Sequence, residues 1–297
     1  MKPVIPFNIE RLKLKSSVFA YLKRGIRNIK GMKMRVNHSS YFESFKQIVI
    51  KREEMSKKNI KTLRENGLAK EEDGSVYSFL ASDFRVLTVG EIILNKDYKK
   101  AKEYFYLSAK MNEYLLNLIT KGDEQISTDF ASLHEYKAIY LALLSDNYEL
   151  ARSIAKLLGG RPEIEKDDFE VFYIAGYLLK YLILGEEKEA SPYLAKLESQ
   201  LTRKNNIYYL ALLEIFRAIY NHDEKEIAAG FNKLLKGHRV LKDFKKSENE
   251  FLSIEGLGIL KLLQNRGIYI VIEDDLLPLK LFEDDELNYP EIDYFVK

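Results

Sequence analysis

The chain contains no cysteine and no tryptophan. Without thiols there are no disulfides, no thiolate nucleophiles and no cysteine-ligated metals. Prolines number only six in 297 residues, and Leu, Ile, Lys, Glu and Tyr are abundant, so the composition favours helix. No segment approaches the roughly 18 to 20 uninterrupted apolar residues of a membrane span. The N-terminus, MKPVIPFNIERLKLKSSVFAYLKR, has neither a long apolar core after its charges nor a small-residue cleavage site. It does not read as a secretory signal, and the expected location is cytoplasmic.

Chemistry-bearing patterns are also missing. The four histidines, His38, His134, His222 and His238, are scattered, and none lies in HExxH or another tight ligand spacing. No phosphate-cradling glycine loop, dinucleotide fingerprint or nucleophile elbow occurs. Gly256-Leu257-Gly258 is a GxG inside a helical pattern and reads as close packing. The expectation is no catalytic residue, no metal and no cofactor. A site assembled from distant residues is the enzyme alternative, because convergence needs geometry to be seen.

What is present is helical patterning. Ser132 to Gly160 reads as two amphipathic helices back to back. Tyr136, Ile139, Tyr140, Leu143 and Leu144 line the first; Tyr148, Ala151, Ile154, Ala155 and Leu158 line the second. Ser145-Asp146-Asn147 ends one and caps the next, and Gly159-Gly160 stops the pair. So short a connection gives an antiparallel hairpin. Similar punctuation recurs at Asn95-Lys96-Asp97, Gly185-Glu186-Glu187 and Asn221-His222-Asp223, each with an alanine soon after, at 101, 190 and 228. The predicted fold is all-α, with stacked antiparallel hairpins of tetratricopeptide-like but irregular spacing.

Helices are expected at about 9–30, 39–65, 78–94, 98–118, 169–184, 186–201, 207–220, 224–241 and 249–265, besides the central pair. In the second of these, Phe42, Phe45, Ile48, Val49 and Met55 are the expected core. The division read from the sequence is basic helices over 1–67 and the hairpin domain over 68–297, as one continuous fold. Ile268-Tyr269-Ile270-Val271-Ile272 is β-branched and predicts a strand or an extended packed segment. Tyr289, Tyr294 and Phe295 stand among acids and do not read as core.

The net charge of +2 conceals an asymmetry. Residues 1–61 hold sixteen Lys/Arg against four Asp/Glu, whereas residues 268–297 hold nine acids against Lys280 and Lys297. The basic arm suits nucleic acid or a membrane surface, and the acidic tail suits a basic partner; solvated faces are the plain alternative for both. His134-Glu135 reads as a helix-start pair, and His238 as an imidazolium near a helix end. Glu255 falls between apolar neighbours, which gives either a half-buried acid with a cationic partner or an exposed one.

Several blocks also carry a family resemblance. They are His134-Glu135-Tyr136 through Leu144-Ser145-Asp146-Asn147-Tyr148-Glu149-Leu150-Ala151, then Leu234-Leu235-Lys236-Gly237-His238, then Phe251 through Leu260, and Arg266-Gly267-Ile268 with Leu277-Pro278. In this order, over about residues 130–282, the chain resembles the immunity protein 49 family of bacterial polymorphic-toxin systems. The resemblance implies a cytoplasmic antitoxin that binds a cognate toxin domain, often a nuclease, and neutralises it. The expected partner is then a protein, not a membrane, a nucleic acid or a small-molecule substrate. A nuclease groove is basic, so an acidic surface suits it. The partner-binding candidates are Glu273, Asp274, Asp275, Glu283, Asp284, Asp285 and Glu286. The rival reading is a helical adaptor that binds peptide or nucleic acid through the basic arm.

Overall fold

Where the sequence places polar punctuation after an apolar helix, the backbone makes the same turn. Lys96, Asp146 and His222 are non-glycine residues in the left-handed region, with φ of 57°, 60° and 55°. Each is followed by a carboxylate or amide that caps the next helix. Asp97, Asn147 and Asp223 adopt near-identical (φ, ψ) of (−94°, 89°), (−105°, 85°) and (−99°, 92°), and their side chains accept from backbone N–H groups two or three residues on. Polar side chains are what this geometry requires. A left-handed residue tolerates Asp or His better than a β-branched residue, and the cap oxygen satisfies a helix N–H that otherwise has no partner.

The computed structural model describes residues 40–69, 73–203, 206–283 and 285–295. Among these residues the fold is all-α, with eleven α-helices and no strand. They are α1 (Phe42–Asn66), α2 (Ser75–Gly90), α3 (Tyr98–Thr120), α4 (Lys137–Leu144), α5 (Tyr148–Leu157), α6 (Pro162–Glu165), α7 (Glu170–Leu184), α8 (Ser191–Leu201), α9 (Ile207–Tyr220), α10 (Glu224–Val240) and α11 (Ile254–Asn265). A π-helical turn, Glu91–Asn95, extends α2. The pairs α2/α3, α4/α5, α7/α8 and α9/α10 pack as hairpins, α1 lies on α2, and α11 lies on α4 and α10. The turns recur, but hairpins of unequal length do not form a regular array. The helix expected at 9–30 lies outside the described residues.

The hairpin cores contain the side chains that periodicity picks out. Tyr136, Ile139, Tyr140, Leu143 and Leu144 of the central pair are at most 1% exposed. Ala101, Ala151 and Ala190 are fully buried next to their turns, while Ala228 is only half-buried. Gly258 of α11 lies against the Tyr140 ring of α4, where a Cβ would come within 2.4 Å of it. The GxG is therefore a packing feature, as its helical context predicts.

Several boundaries and burials differ from expectation. The central hairpin begins with a 3-10 turn, Leu133–Tyr136, because Asp168 accepts from Ser132 Oγ and, at 2.9 Å, from Leu133 N–H and holds that stretch tight. The final helix starts at Ile254 instead of Asn249, since Ser253 caps it by accepting from Gly256 N–H. In α1, Phe45 is buried and Phe42, Ile48 and Val49 are half-buried, but Met55 is 38% exposed. Ile268–Ile272 belongs to no sheet.

The largest departure is the C-terminal tail, which returns across the molecule as a strap. Tyr289 stacks on Tyr106 with ring centres 4.3 Å apart and donates to the Ser145 carbonyl at 2.7 Å. Tyr294 is 5% exposed, in the apolar cluster of Leu63, Tyr77, Leu80 and Leu115. Phe295 stacks on Tyr114 at 4.0 Å, and Arg64 pairs with Asp293 at 2.8 Å. Local charge density misreads these aromatics. Burying a ring of this size stabilises by about 2 kcal/mol, which outweighs the pull of neighbouring acids toward water.

Candidate functional site

Two ionic centres organise the helices, and both involve residues singled out in the sequence. The first lies at the central turn. Asp146 sits between two buried lysines, Lys102 of α3 at 2.8 Å and Lys261 of α11. Lys102 is fully buried and also reaches Asp285 at 2.7 Å and the Glu283 carbonyl at 2.6 Å. A buried ammonium needs oxygen on every side, and here the turn and the strap supply it.

This arrangement redistributes the acids expected to meet a partner. Asp285 is tied to Lys102, and Asp274 and Asp275 both pair with Arg239, at 2.7 and 2.6 Å. Asp284 lies outside the described residues. Glu273, Glu283 and Glu286 are exposed, and their carboxylates make no ion pair among the described residues. The acid-rich stretch is thus partly internal glue and partly open surface, a division that charge counting cannot see.

The second centre is Glu255, 4% exposed at the first turn of α11. Its cation is Lys137 of α4 at 3.5 Å. The hydroxyls of Tyr136 and Tyr140 and the Nδ1 of His238 are buried nearby without hydrogen-bond partners. The Tyr208 hydroxyl couples to the carboxylate, although it falls short of full hydrogen-bond geometry. Burial pushes the Glu255 carboxyl up, but Lys137, a backbone N–H, His238 and Tyr208 outweigh it, and the group ends below the usual glutamate range. Burial, with the Glu255 charge as a lesser cause, holds all three tyrosines well above their ordinary value, so they stay neutral.

His238 differs from its sequence reading, whereas His134 and Glu135 do open a helical turn. His238 is 3% exposed and donates through Nε2–H to the Asn249 carbonyl, 2.6 Å away. Burial depresses its pKa, so it sits neutral instead of serving as an imidazolium at the helix end. His134 is exposed at one edge and packed by Phe172 at the other; its pKa is driven down to about 4, first by that partial desolvation and then by the Lys137 ammonium, which donates to its Nε2 at 3.2 Å. Glu135, its neighbour, is raised by burial.

Solvent meets this centre through aromatic side chains. Lys137 Nζ lies 5.3 Å from the Phe172 ring centre, and His134 meets the same ring edge-on at 4.6 Å. Phe172 contacts Phe169 and Tyr209 at 5.4 and 5.5 Å. Phe169 is 50% exposed, and Ile207, at the start of α9, is 45% exposed. On the other side of His238 a cavity of about 420 Å³ is lined by Tyr41, Arg239, Phe244, Lys245, Lys246 and Glu250, among others. Glu255 does not line it. Among the described residues no cluster of three His, Asp or Glu side chains could hold a metal ion, and no helix is long and apolar enough to cross a membrane.

Parts of three of the sequence blocks quoted above meet here, while Arg266, in another, pairs with Glu187. His134 to Tyr140, Gly237-His238 and Ser253 to Gly258 meet around Glu255. The aromatic rim was not found from the sequence. The run containing Phe169 and Phe172 reads as a buried helix, and the only available signal was that Phe169 precedes the helix start. Comparison with protein-family models, curated proteins and solved structures finds no match.

Proposed function

We propose that this chain is an immunity protein: a helical scaffold that binds a cognate bacterial toxin domain and neutralises it by occlusion, in the cytoplasm of the cell that makes it. The observation that carries the reading is the aromatic rim, in which Phe169 stands in solvent with half-buried Phe172 and Tyr209 packed against it, beside the Lys137–Glu255 pair. Exposed aromatics on rigid helices are the side chains that dominate protein–protein binding energy. The exposed acids Glu273, Glu283 and Glu286 supply charge suited to a basic partner such as a nuclease.

The adaptor reading draws less support from the part of the basic arm that lies among the described residues. In α1 the basic side chains are largely engaged: Arg52 with Asp83, Lys57 with Glu53, Lys61 with Glu65 and Arg64 with Asp293. The test is co-expression with the C-terminal domain encoded by the neighbouring gene in a sensitive host, followed by pull-down of the tagged chain. Rescue with a stoichiometric complex is the expected result; the absence of both would sink the proposal. Within such a complex, Phe169→Ala should weaken binding by about tenfold or more while leaving the fold intact. Neutralising the three exposed acids should slow association and flatten its salt dependence.

A further inference from the structure

Ile268-Tyr269-Ile270-Val271-Ile272 has the side chains of a strand in a chain whose described residues contain none. No helix, turn or sheet pairing covers residues 268–274. Exposure alternates along it: Ile268, Ile270 and Ile272 are half-buried, whereas Tyr269 is 42% and Val271 36% exposed. That is the period-two pattern of an extended chain lying on a surface.

The backbone of this segment is unused. Ile268 N–H donates to the Leu263 carbonyl at 2.9 Å, and the next backbone bond is accepted by Asp274, from Leu277 N–H at 3.1 Å. Between them, residues 269–273 make no backbone hydrogen bond among the described residues. A row of unpaired N–H and C=O groups beside apolar side chains is a sheet edge. Proteins blunt such edges with lysine or proline, and residues 267–272 contain neither.

We infer that this segment pairs antiparallel with the same segment of a second copy, centred on Ile270. In that register the sequence is its own complement. Ile268 faces Ile272, Ile270 faces itself, and Tyr269 faces Val271 twice, an aromatic–β-branched pair of the kind that stabilises sheets. The pairing ends at Ile268, because Arg266 and Gly267 form the turn that closes α11, with Arg266 tied to Glu187 and Asp274 to Arg239. A register odd by one residue sets exposed Tyr269 against half-buried Ile272 and mismatches the two faces. A foreign strand could use the same backbone groups, but the near-palindrome selects the chain itself.

The test is light scattering on the full chain from low to high micromolar concentration. The mass should rise from 34.7 kDa toward twice that value. Tyr269→Lys with Val271→Lys places ammonium groups opposite each other on both sides of the twofold axis and should hold the chain monomeric. Tyr269→Lys with Val271→Glu places opposite charges there and should restore the dimer. Both altered side chains are exposed, so unchanged helical circular dichroism verifies folding. A wild-type chain that stays monomeric throughout overturns the inference. So does a dimer that survives the double lysine variant, or one that the Lys/Glu variant fails to restore.

Discussion

Asp146 and Glu255 are both carboxylates set among helices, and they are compensated in opposite ways. Asp146 belongs to a closed set in which Lys102, Lys261, Asp146 and Asp285 alternate in sign. Glu255 has one cation, Lys137, whose side chain is still one-third exposed, and neighbouring tyrosine hydroxyls without partners. A closed set holds its buried lysines through its acids, so losing Asp146 strands Lys261, which has no other ion pair among the described residues. An open pair is intolerant only on its buried side. The first centre therefore acts as a lock that joins the central turn, α11 and the strap, while the second leaves its cation free to respond to what approaches from solvent.

Substitutions separate the two. Lys102→Met should have the largest effect, about 3–5 kcal/mol of lost stability by urea unfolding, since it leaves Asp146 and Asp285 facing each other without the fully buried ammonium. Asp146→Asn should cost about 2 kcal/mol, because Lys261 then loses its one ion pair among the described residues while Asp146 is partly exposed. Glu255→Gln should cost under about 1.5 kcal/mol, as Lys137 can turn to water. Equal losses at Asp146 and Glu255 would erase the distinction between closed and open centres.

The smallest effect is a dependence on pH. His134 and His238 have depressed values in the fold, so between pH 6.5 and about 4 the unfolded chain binds more protons than the folded one. Stability should therefore fall as pH drops below about 6.5. Glu255, depressed below its ordinary value, adds a loss only as pH falls through its own lower range. His134→Gln should flatten the upper part of the slope in urea midpoints measured across this window. A slope that His134→Gln leaves untouched would place the titration elsewhere.

The hairpins were legible because period and punctuation are local properties. Tyr98, Ile207 and Glu224 start their helices where the pattern places them, and Asp97, Asn147 and Asp223 cap as polar residues after a turn should. What was not legible depends on partners far along the chain. Asp274, Asp275 and Asp285 look like open surface until Arg239 and Lys102 are placed beside them. Tyr294 looks solvated until α1–α3 surround it. Glu255 stands out from its neighbours alone, but its cation, Lys137, lies on another helix, and the aromatic rim beside it comes from the starts of two further helices, α7 and α9.

The strap has a consequence for how the protein is made. Tyr294 completes a cluster whose other members include Leu63, Tyr77 and Leu80, and the Tyr77 hydroxyl meets the Tyr294 carbonyl across 217 positions of sequence. During translation α1 and α2 must therefore wait, with an apolar face open, until Tyr294 has left the ribosome. A transcript cut short after α11 would yield helices that are correctly paired yet unsealed. Such a product exposes the kind of surface that chaperones hold and proteases remove, so the tail doubles as a check that synthesis has gone far enough.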